Sequence, residues 1–211
     1  MTLSALSPAV ISDRLLHGEP HDCMDPKVDV SSPSLRLAAV LVPLIRDQDH
    51  WDLLLIRRTQ AVSHHKGQIA FPGGKWESED GSFLATALRE THEELGIGPD
   101  TVQILGSLPQ RVTLSTGFLI HPFVGQLQTP LRLRPALQEV AQILTVPLEL
   151  FQDPARHEAI IDADSGFVHH RYFYQEHVIW GATASIIQRF VELLDTPPSS
   201  SGCPVGKTCV L

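Results

Sequence analysis

Hydrophobic positions change their spacing several times along the chain, and each spacing predicts a different kind of element. The nearly continuous apolar run LRLAAVLVPLI from residue 35 and the run DLLLIRRT from residue 52, separated by the polar turn DQDHW, predict a β-hairpin. Apolar residues at spacings of three and four predict helices over 83–95 and about 182–194. Shorter runs predict strands near 68–71, 102–108, 118–127, 140–146 and 171–175, and a short helix near 148–152.

Strands outnumber helices in this pattern, and the two do not alternate regularly. That order favours an α+β fold with a mixed β-sheet and helices on both faces over a doubly wound parallel sheet. The predicted organisation is an N-terminal extension over 1–34, one domain over 35–195 and a flexible tail rich in Pro, Ser and Gly over 196–211. A short amphipathic stretch at 10–16 predicts a helix that packs on the domain or on a partner subunit, which allows for a homodimer.

Charge and cysteine usage narrow the classes of partner and compartment. The formal net charge of -8 leaves the chain without the basic surface of a nucleic-acid-binding protein, and an anionic membrane would repel it. Three cysteines without CxxC spacing predict neither a disulfide framework nor a zinc ribbon. The sequence has no apolar run long enough to span a membrane and no secretory signal pattern, so a cytoplasmic protein is expected.

Three glutamates crowd the predicted helix directly after a glycine-rich segment. Glu90, Glu93 and Glu94 are neighbours on a helix, where each like-charge pair costs roughly 0.2–0.5 kcal/mol. Two interpretations are open: a solvated acidic face, or a site for a divalent cation that takes oxygen ligands, Mg²⁺ or Mn²⁺. The FPGG turn at 71–74 favours the metal site, because a solvated face needs no sharp bend before it.

The residues around this cluster match a known signature. Gly74 followed by RETHEELGI at 89–97 resembles the signature of the Nudix hydrolases, which hydrolyse nucleoside diphosphates linked to another group. Thr91 departs from it by standing at a position for a bulky apolar residue, and the segment between Gly74 and Arg89 is one residue longer than usual. Asp80 best matches the usual upstream glutamate. The resemblance implies a Nudix-type α/β/α sandwich and an enzyme that needs a divalent metal.

The resemblance also implies roles for individual side chains. Glu90 and Glu94 would ligate Mg²⁺ or Mn²⁺, with Glu93 as a further ligand or as a base. Arg89 would hold one carboxylate in a fixed orientation through a bidentate pair. Glu139, which precedes the run ILTVPLELF in a segment similar to the family's later part, is a candidate general base or, alternatively, a surface residue.

The segment LLLIRRTQAVSHHKGQIAFPGG at 53–74 resembles the additional signature of coenzyme A pyrophosphatases. Ile56 and Thr59 depart from it mildly, and Ser63 stands where that signature has arginine. The implied substrate is coenzyme A or an acyl-CoA. The residues expected to bind it are Arg57, Arg58, His65, Gly73 and Gly74. Alternatively, the basic residues form an ordinary exposed strand end.

Two rival functions stay open at this point. The enzyme could act on ADP-ribose, NADH or an oxidised nucleotide rather than coenzyme A. A non-catalytic module that senses a nucleotide is the rival from another class. The presence of all three glutamates of the signature favours the enzyme over the sensor.

Overall fold

A computed structural model describes residues 3–17, 35–60, 66–113, 117–163 and 166–195. The strands in these ranges are β1 (Arg36–Asp47), β2 (His50–Arg58), β3 (Ile69–Ala70), β4 (Gly73–Lys75), β5 (Val102–Ser107), β6 (Arg111–Thr113), β7 (Phe118–Leu127), β8 (Val140–Pro147), β9 (His157–Ile161), β10 (Val168–Tyr174) and β11 (His177–Trp180). The α-helices are α1 (Pro8–His17), α2 (Phe83–Leu95) and α3 (Gly181–Asp195). Short 3₁₀ turns include Ser78–Asp80 and Leu148–Gln152, the latter where a short helix was predicted.

The larger sheet is mixed, as the strand pattern predicted. β1 pairs in parallel with β7 and antiparallel with β2 and β4. β2 also pairs with β3 and β8, and β7 with β5 and β6. A separate antiparallel sheet has the order β11-β10-β9. The predicted hairpin of β1 and β2 is confirmed, with Leu44 opposite Leu53.

Side chains of the central strands alternate between two apolar cores, one on each face of the sheet. In β1, Ala39 and Leu41 join the core that contains Ala87 of α2. Their neighbours Val42 and Leu44 join the core formed with α1 and α3. This period of two is the strand geometry that lets one sheet bury both faces. The predicted α+β sandwich with helices on both faces is therefore confirmed.

The N-terminal segment from Leu3 to His17 contributes to the core that α1 and α3 form on one face of the sheet. Leu6 and Ile11 are buried there, and the indole N–H of Trp51 donates to the carbonyl of Leu6 at 2.9 Å. The hydroxyl of Ser12 donates to the carbonyl of Leu105 at 2.7 Å. The segment predicted as an amphipathic helix thus packs on the domain. The bounds of extension, domain and tail stay predictions, and 196–211 lies outside the described residues.

The glycine-rich segment was predicted as a turn. The chain does bend at Pro72, between β3 and β4, but the prediction is wrong for Gly73 and Gly74, which begin β4 and pair with Val40 and Ala39 of β1. The backbones come close enough there that a Cβ on Gly73 would lie 2.6 Å from the Cα of Val40. Gly73 also has a φ of 149°, which other residues rarely adopt. Within the described ranges, no helix combines the length and apolar character needed to cross a membrane.

Candidate active site

Helix α2 carries the three glutamates, and local signals fix its ends. The hydroxyl of Ser82 accepts a hydrogen bond from the N–H of Ala85 at 3.1 Å, and Gly96 ends the helix with a φ of 72°. Thr91, which departs from the family signature, is buried, and its hydroxyl donates to the carbonyl of Ala87 at 2.6 Å. The helix itself therefore satisfies the polar group that replaces an apolar one.

Glu94 is a buried carboxylate held by two donors. Its side chain is 2% exposed. Oε1 accepts from Nη1 of Arg58 at 2.8 Å, and Oε2 accepts from the N–H of Gly73 at 3.0 Å. Burial nevertheless raises the pKa of Glu94 to about 7, because the charged form is poorly solvated there. The two donors lower that pKa but do not outweigh the burial, so further positive charge would stabilise the ionised carboxylate.

Glu90 lies one helical turn before Glu94 and packs directly against β4. A Cβ on Gly74 would lie 2.5 Å from both carboxylate oxygens of Glu90, so position 74 has room only for glycine while Glu90 keeps this position. Burial raises the pKa of Glu90, and Arg89, whose Nη1 lies 3.0 Å from Oε1, opposes that rise. The strand backbone and the helix thus place two carboxylates side by side in a poorly solvated position.

Arg89 forms its bidentate pair with Asp80 and not with a glutamate of α2. Nε lies 2.7 Å from Oδ1 and Nη2 lies 3.2 Å from Oδ2. Asp80 also accepts from the hydroxyl of Thr86 at 2.8 Å, and the hydrogen bonds from Arg89 hold the pKa of Asp80 well below its usual range. Asp80, which best matches the upstream glutamate of the signature, is thus the carboxylate that Arg89 holds through two hydrogen bonds. Nη1 of Arg89 also reaches the half-exposed Glu93 at 3.1 Å.

Arg58 connects the buried glutamate to a residue far along the chain. Its Nη2 lies 3.6 Å from Oε2 of Glu139, which is half exposed. The charge of Glu139 adds to the effects that raise the pKa values of Glu90 and Glu94. The candidate general base thus lies within electrostatic reach of both carboxylates.

Arg57, which was also predicted to bind substrate, does not lie at this cluster. In β2, Arg57 shares a face with Leu55, whereas Arg58 shares the other face with Ile56, so the side chain of Arg57 projects to the side of the sheet opposite Glu94. There its Nε donates to Oε1 of Gln142 at 3.2 Å. His65 lies outside the described residues.

The donor chemistry of the cluster suits a divalent cation. Within the described residues, no three Asp, Glu, His or Cys side chains converge tightly enough to enclose a metal ion. Arg58 and Arg89 instead form ion pairs with Glu94 and Glu90. Glu90 and Glu94 each offer a carboxylate beside β4, and the half-exposed Glu93, which Arg89 contacts through Nη1, offers a third. Oxygen donors in this number match the ligands that Mg²⁺ and Mn²⁺ take. The residues present therefore fit the metal that the signature implies.

Comparison with known proteins decides the family. A family model described as NUDIX domain matches residues 35–163. The chain belongs to the Nudix family. The predicted Nudix hydrolase is thereby confirmed as an enzyme class, and the Nudix-type sandwich as its fold.

Bacterial relatives and a solved structure support this assignment. The Nudix chain is 37% identical over 175 residues to "Uncharacterized Nudix hydrolase NudL" of Enterobacter sp. (strain 638), covering 82% of this chain and 90% of that protein. The protein of the same name from Photorhabdus laumondii is 41% identical over 163 residues, covering 76% and 86%. The crystal structure of a MutT/nudix family protein from Enterococcus faecalis matches with a TM-score of 0.52 and 18% identity, over 80% of this chain and 66% of that one, which shows a shared fold.

Two supporting contacts of the Nudix site were missed by sequence reasoning. The backbone N–H of Gly73 holds Glu94, and the hydroxyl of Thr86 holds Asp80. No pattern marks the first contact, because it joins a strand to a helix across the fold. The second has a weak signal, since Thr86 stands three residues after Phe83, where the spacing of the apolar stripe would place an apolar residue.

Proposed function

We propose that this Nudix hydrolase cleaves the pyrophosphate bond of coenzyme A or an acyl-CoA, giving 3′,5′-ADP and 4′-phosphopantetheine or its acyl form. The observation that carries the catalytic part of the proposal is the pair of neighbouring carboxylates, buried Glu94 and partly buried Glu90, set between α2 and the glycines of β4. Two adjacent carboxylates with raised pKa values attract a dication strongly, because the ion relieves both desolvation and mutual repulsion.

The metal contributes the chemistry that no side chain here can supply. A bound Mg²⁺ or Mn²⁺ neutralises diphosphate oxygens and lowers the pKa of a water. Glu90 and Glu94 would hold it, and Glu93 would turn inward as a third ligand or as a base. Arg89, fixed by Asp80, keeps Glu90 and Glu93 oriented through its Nη1. Glu139 would accept the proton of the attacking water, for which its half-exposed carboxylate beside Arg58 is suited.

The choice of coenzyme A rests on the sequence before the signature. Residues 53–74 match most of the coenzyme A pyrophosphatase pattern, and they supply β2, β3 and the first residues of β4. Arg58 and His65 would provide positive charge for the phosphates in place of the arginine that Ser63 replaces, whereas Arg57 faces the other side of the sheet. Gly73 and Gly74 would let the strand backbone approach the diphosphate.

A substrate panel tests the proposal. Coenzyme A, an acyl-CoA, ADP-ribose, NADH and nucleoside triphosphates would each be incubated with the enzyme and Mg²⁺ or Mn²⁺, and the products separated by chromatography. The expected result is 3′,5′-ADP from coenzyme A or acyl-CoA at the highest kcat/KM, and no product with a chelator. Preferred cleavage of ADP-ribose or NADH would overturn the substrate, and no turnover of any compound would favour the nucleotide sensor. Glu94→Gln, prepared identically, controls for contaminating phosphatases.

The missing arginine offers a second test of the substrate. Ser63→Arg restores the residue of the coenzyme A pattern, so KM for coenzyme A should fall while KM for ADP-ribose stays constant. The two KM values are measured side by side. Equal KM values for coenzyme A before and after the change would show that position 63 does not bind the substrate.

A further inference from the structure

Arg58 is bonded to a carboxylate that the proposed function gives to the metal, and this overlap leads to an inference that rests on that function. We propose that Arg58 is the built-in counter-ion of Glu94, that a divalent cation has to displace it, and that Arg58 thereby sets the affinity of the site for metal. Arg58 is then a positioning residue that acts on the metal through Glu94.

The geometry makes the guanidinium and the cation competitors. Nη1 of Arg58 lies 2.8 Å from Oε1 of Glu94, which is the distance of a charge-assisted hydrogen bond. The Arg58 side chain is 20% exposed and that of Glu94 is 2% exposed, so little water screens the pair. A dication on the same carboxylate would face the guanidinium charge at short range in a medium of low dielectric constant, where like charges repel strongly. The guanidinium of Arg58 and a divalent metal ion therefore cannot both contact Glu94 unless Arg58 shifts.

The alternative role for Arg58 is to hold Glu94 in the orientation that a metal needs. Two features favour competition over this role. The N–H of Gly73 already fixes the carboxylate through Oε2 from the backbone of β4, so orientation does not depend on Arg58. Nη2 of Arg58 also lies 3.6 Å from Glu139, which gives the guanidinium a second carboxylate to hold when it leaves the first.

Manganese binding to variants distinguishes the two roles. Arg58→Met keeps an unbranched apolar stem and removes the charge. Free Mn²⁺ is measured by electron paramagnetic resonance without oxygen at about pH 9, because the pKa of Glu94 is about 7 with Arg58 present and rises when that charge is removed. If Arg58 competes with the metal, the Kd for Mn²⁺ should fall by about tenfold. In the variant, Mn²⁺ no longer has to break the charge-assisted hydrogen bond between Arg58 and Glu94, and about tenfold corresponds to the energy of one such bond. An unchanged or weaker Kd would overturn the proposal.

The neighbouring arginine supplies the matched control. Arg57→Met removes the same charge one residue away, but Arg57 bonds to Gln142 on the opposite face of the sheet. Its Kd for Mn²⁺ should stay within about twofold of wild type, because the lost charge is not on the metal carboxylates. Equal tightening in both variants would mean that net charge and not the Arg58–Glu94 contact is responsible, and would also overturn the proposal.

A second variant and a second readout cover a failure of Arg58→Met to fold. Arg58→Lys keeps one charge with a shorter reach and weaker hydrogen bonding, so it should tighten Mn²⁺ binding by a smaller factor. In thermal unfolding, saturating Mn²⁺ should raise the Tm of either variant by more than it raises that of wild type. A smaller rise would overturn the proposal. If wild type binds Mn²⁺ and hydrolyses substrate but the variants bind no tighter, only this inference fails; if wild type neither binds Mn²⁺ nor hydrolyses, the proposed function fails with it.

Discussion

The carboxylate of Glu90 lies directly against the backbone of Gly74, at the place where any larger residue would have its Cβ. That Cβ would be 2.5 Å from both oxygens of Glu90. The carboxylate is the far end of a flexible side chain, so an added methyl group would move Glu90 and leave the backbones of α2 and β4 in place. The glycine is therefore required by the position of the acid and not by the strand.

Gly74→Ala should lower activity far more than stability. The methyl group displaces the Glu90 carboxylate by about an ångström, and a misplacement of that size in a catalytic group costs about a hundredfold in kcat/KM. Thermal unfolding should stay close to wild type. Gly98→Ala is the control, because nothing lies within 4 Å of a Cβ there, and it should leave both quantities unchanged. Full activity in Gly74→Ala would remove Glu90 from the proposed metal ligands.

Glu94→Gln should abolish most turnover in a protein that still folds. The amide keeps the shape and can accept the Gly73 N–H, but it cannot ligate a dication well. We expect kcat to fall by at least about a hundredfold, since metal ligation is worth several kcal/mol to the transition state. The free energy of unfolding should drop by no more than about 3 kcal/mol, the scale of one hydrogen bond to a charged group. Glu158→Gln, a change at an exposed residue of β9, should affect neither quantity.

Stability in the presence of a chelator should depend on pH through Glu94. Its pKa of about 7 exceeds the value of about 4.3 for a free glutamate, so the folded protein holds a proton that the unfolded chain has released. The stabilisation from this group is full below about pH 4.3 and is lost as pH rises through about 7, at about 1.4 kcal/mol per unit of pKa difference. Burial also raises the pKa of Glu90, so this group likewise makes stability fall as pH rises. The pKa of Asp80 is lowered, so its contribution to stability changes only below its usual pKa near 3.8.

The measurement is the difference between two proteins. Tm is recorded between about pH 4.5 and 8 for wild type and for Glu94→Gln, because a difference cancels the opposite contribution of histidines whose pKa values burial lowers. Those histidines are His121, His157 and His170. Wild type should lose more Tm than the variant as pH rises. Parallel curves would show that Glu94 does not titrate in this range.

Two adjacent leucines test whether α1 is part of the domain. Leu15 is 8% exposed and packs against Gly106, whereas Leu16 is 75% exposed. Leu15→Ala should lower the free energy of unfolding by about 2–3 kcal/mol through lost burial and a cavity. Leu16→Ala should change it by less than about 0.5 kcal/mol. Equal small effects in denaturant titrations would mean that α1 does not contribute to the stability of the domain.

Elements whose signals are local could be predicted from the sequence. Helix α2 has its apolar stripe, its Ser82 cap and its terminal Gly96 within a few residues of one another, and both ends were confirmed. The strands β6, β9 and β11 were missed because each is short and has little apolar alternation. They become strands only through pairing, β6 with β7 and the other two with β10.

In the candidate site, too, contacts between residues near in sequence could be predicted, whereas contacts between distant residues could not. Glu90 and Glu94 could be placed together because one turn of helix separates them. The contact of Glu94 with Arg58 joins residues 36 apart, and that with Gly73 joins residues 21 apart, so no local pattern shows either. Arg57 and Arg58 read as one basic group in the sequence, but strand geometry divides them between the faces.

The alternation in β2 has a consequence for how this region tolerates change in length. The pairing of β2 with β8 contains a β-bulge, because Arg57 lies opposite Gln142 whereas Arg58 lies opposite Val140. The extra residue, Ala141, belongs to β8, so β2 itself remains regular. Deleting a single residue of β2 before Arg57 would turn Arg58 away from Glu94, and the apolar residues on one side of the deletion would change core. Removing two residues would restore the original facing. Homologous proteins that keep the ion pair between Arg58 and Glu94 should therefore differ in the length of β2 by even numbers of residues.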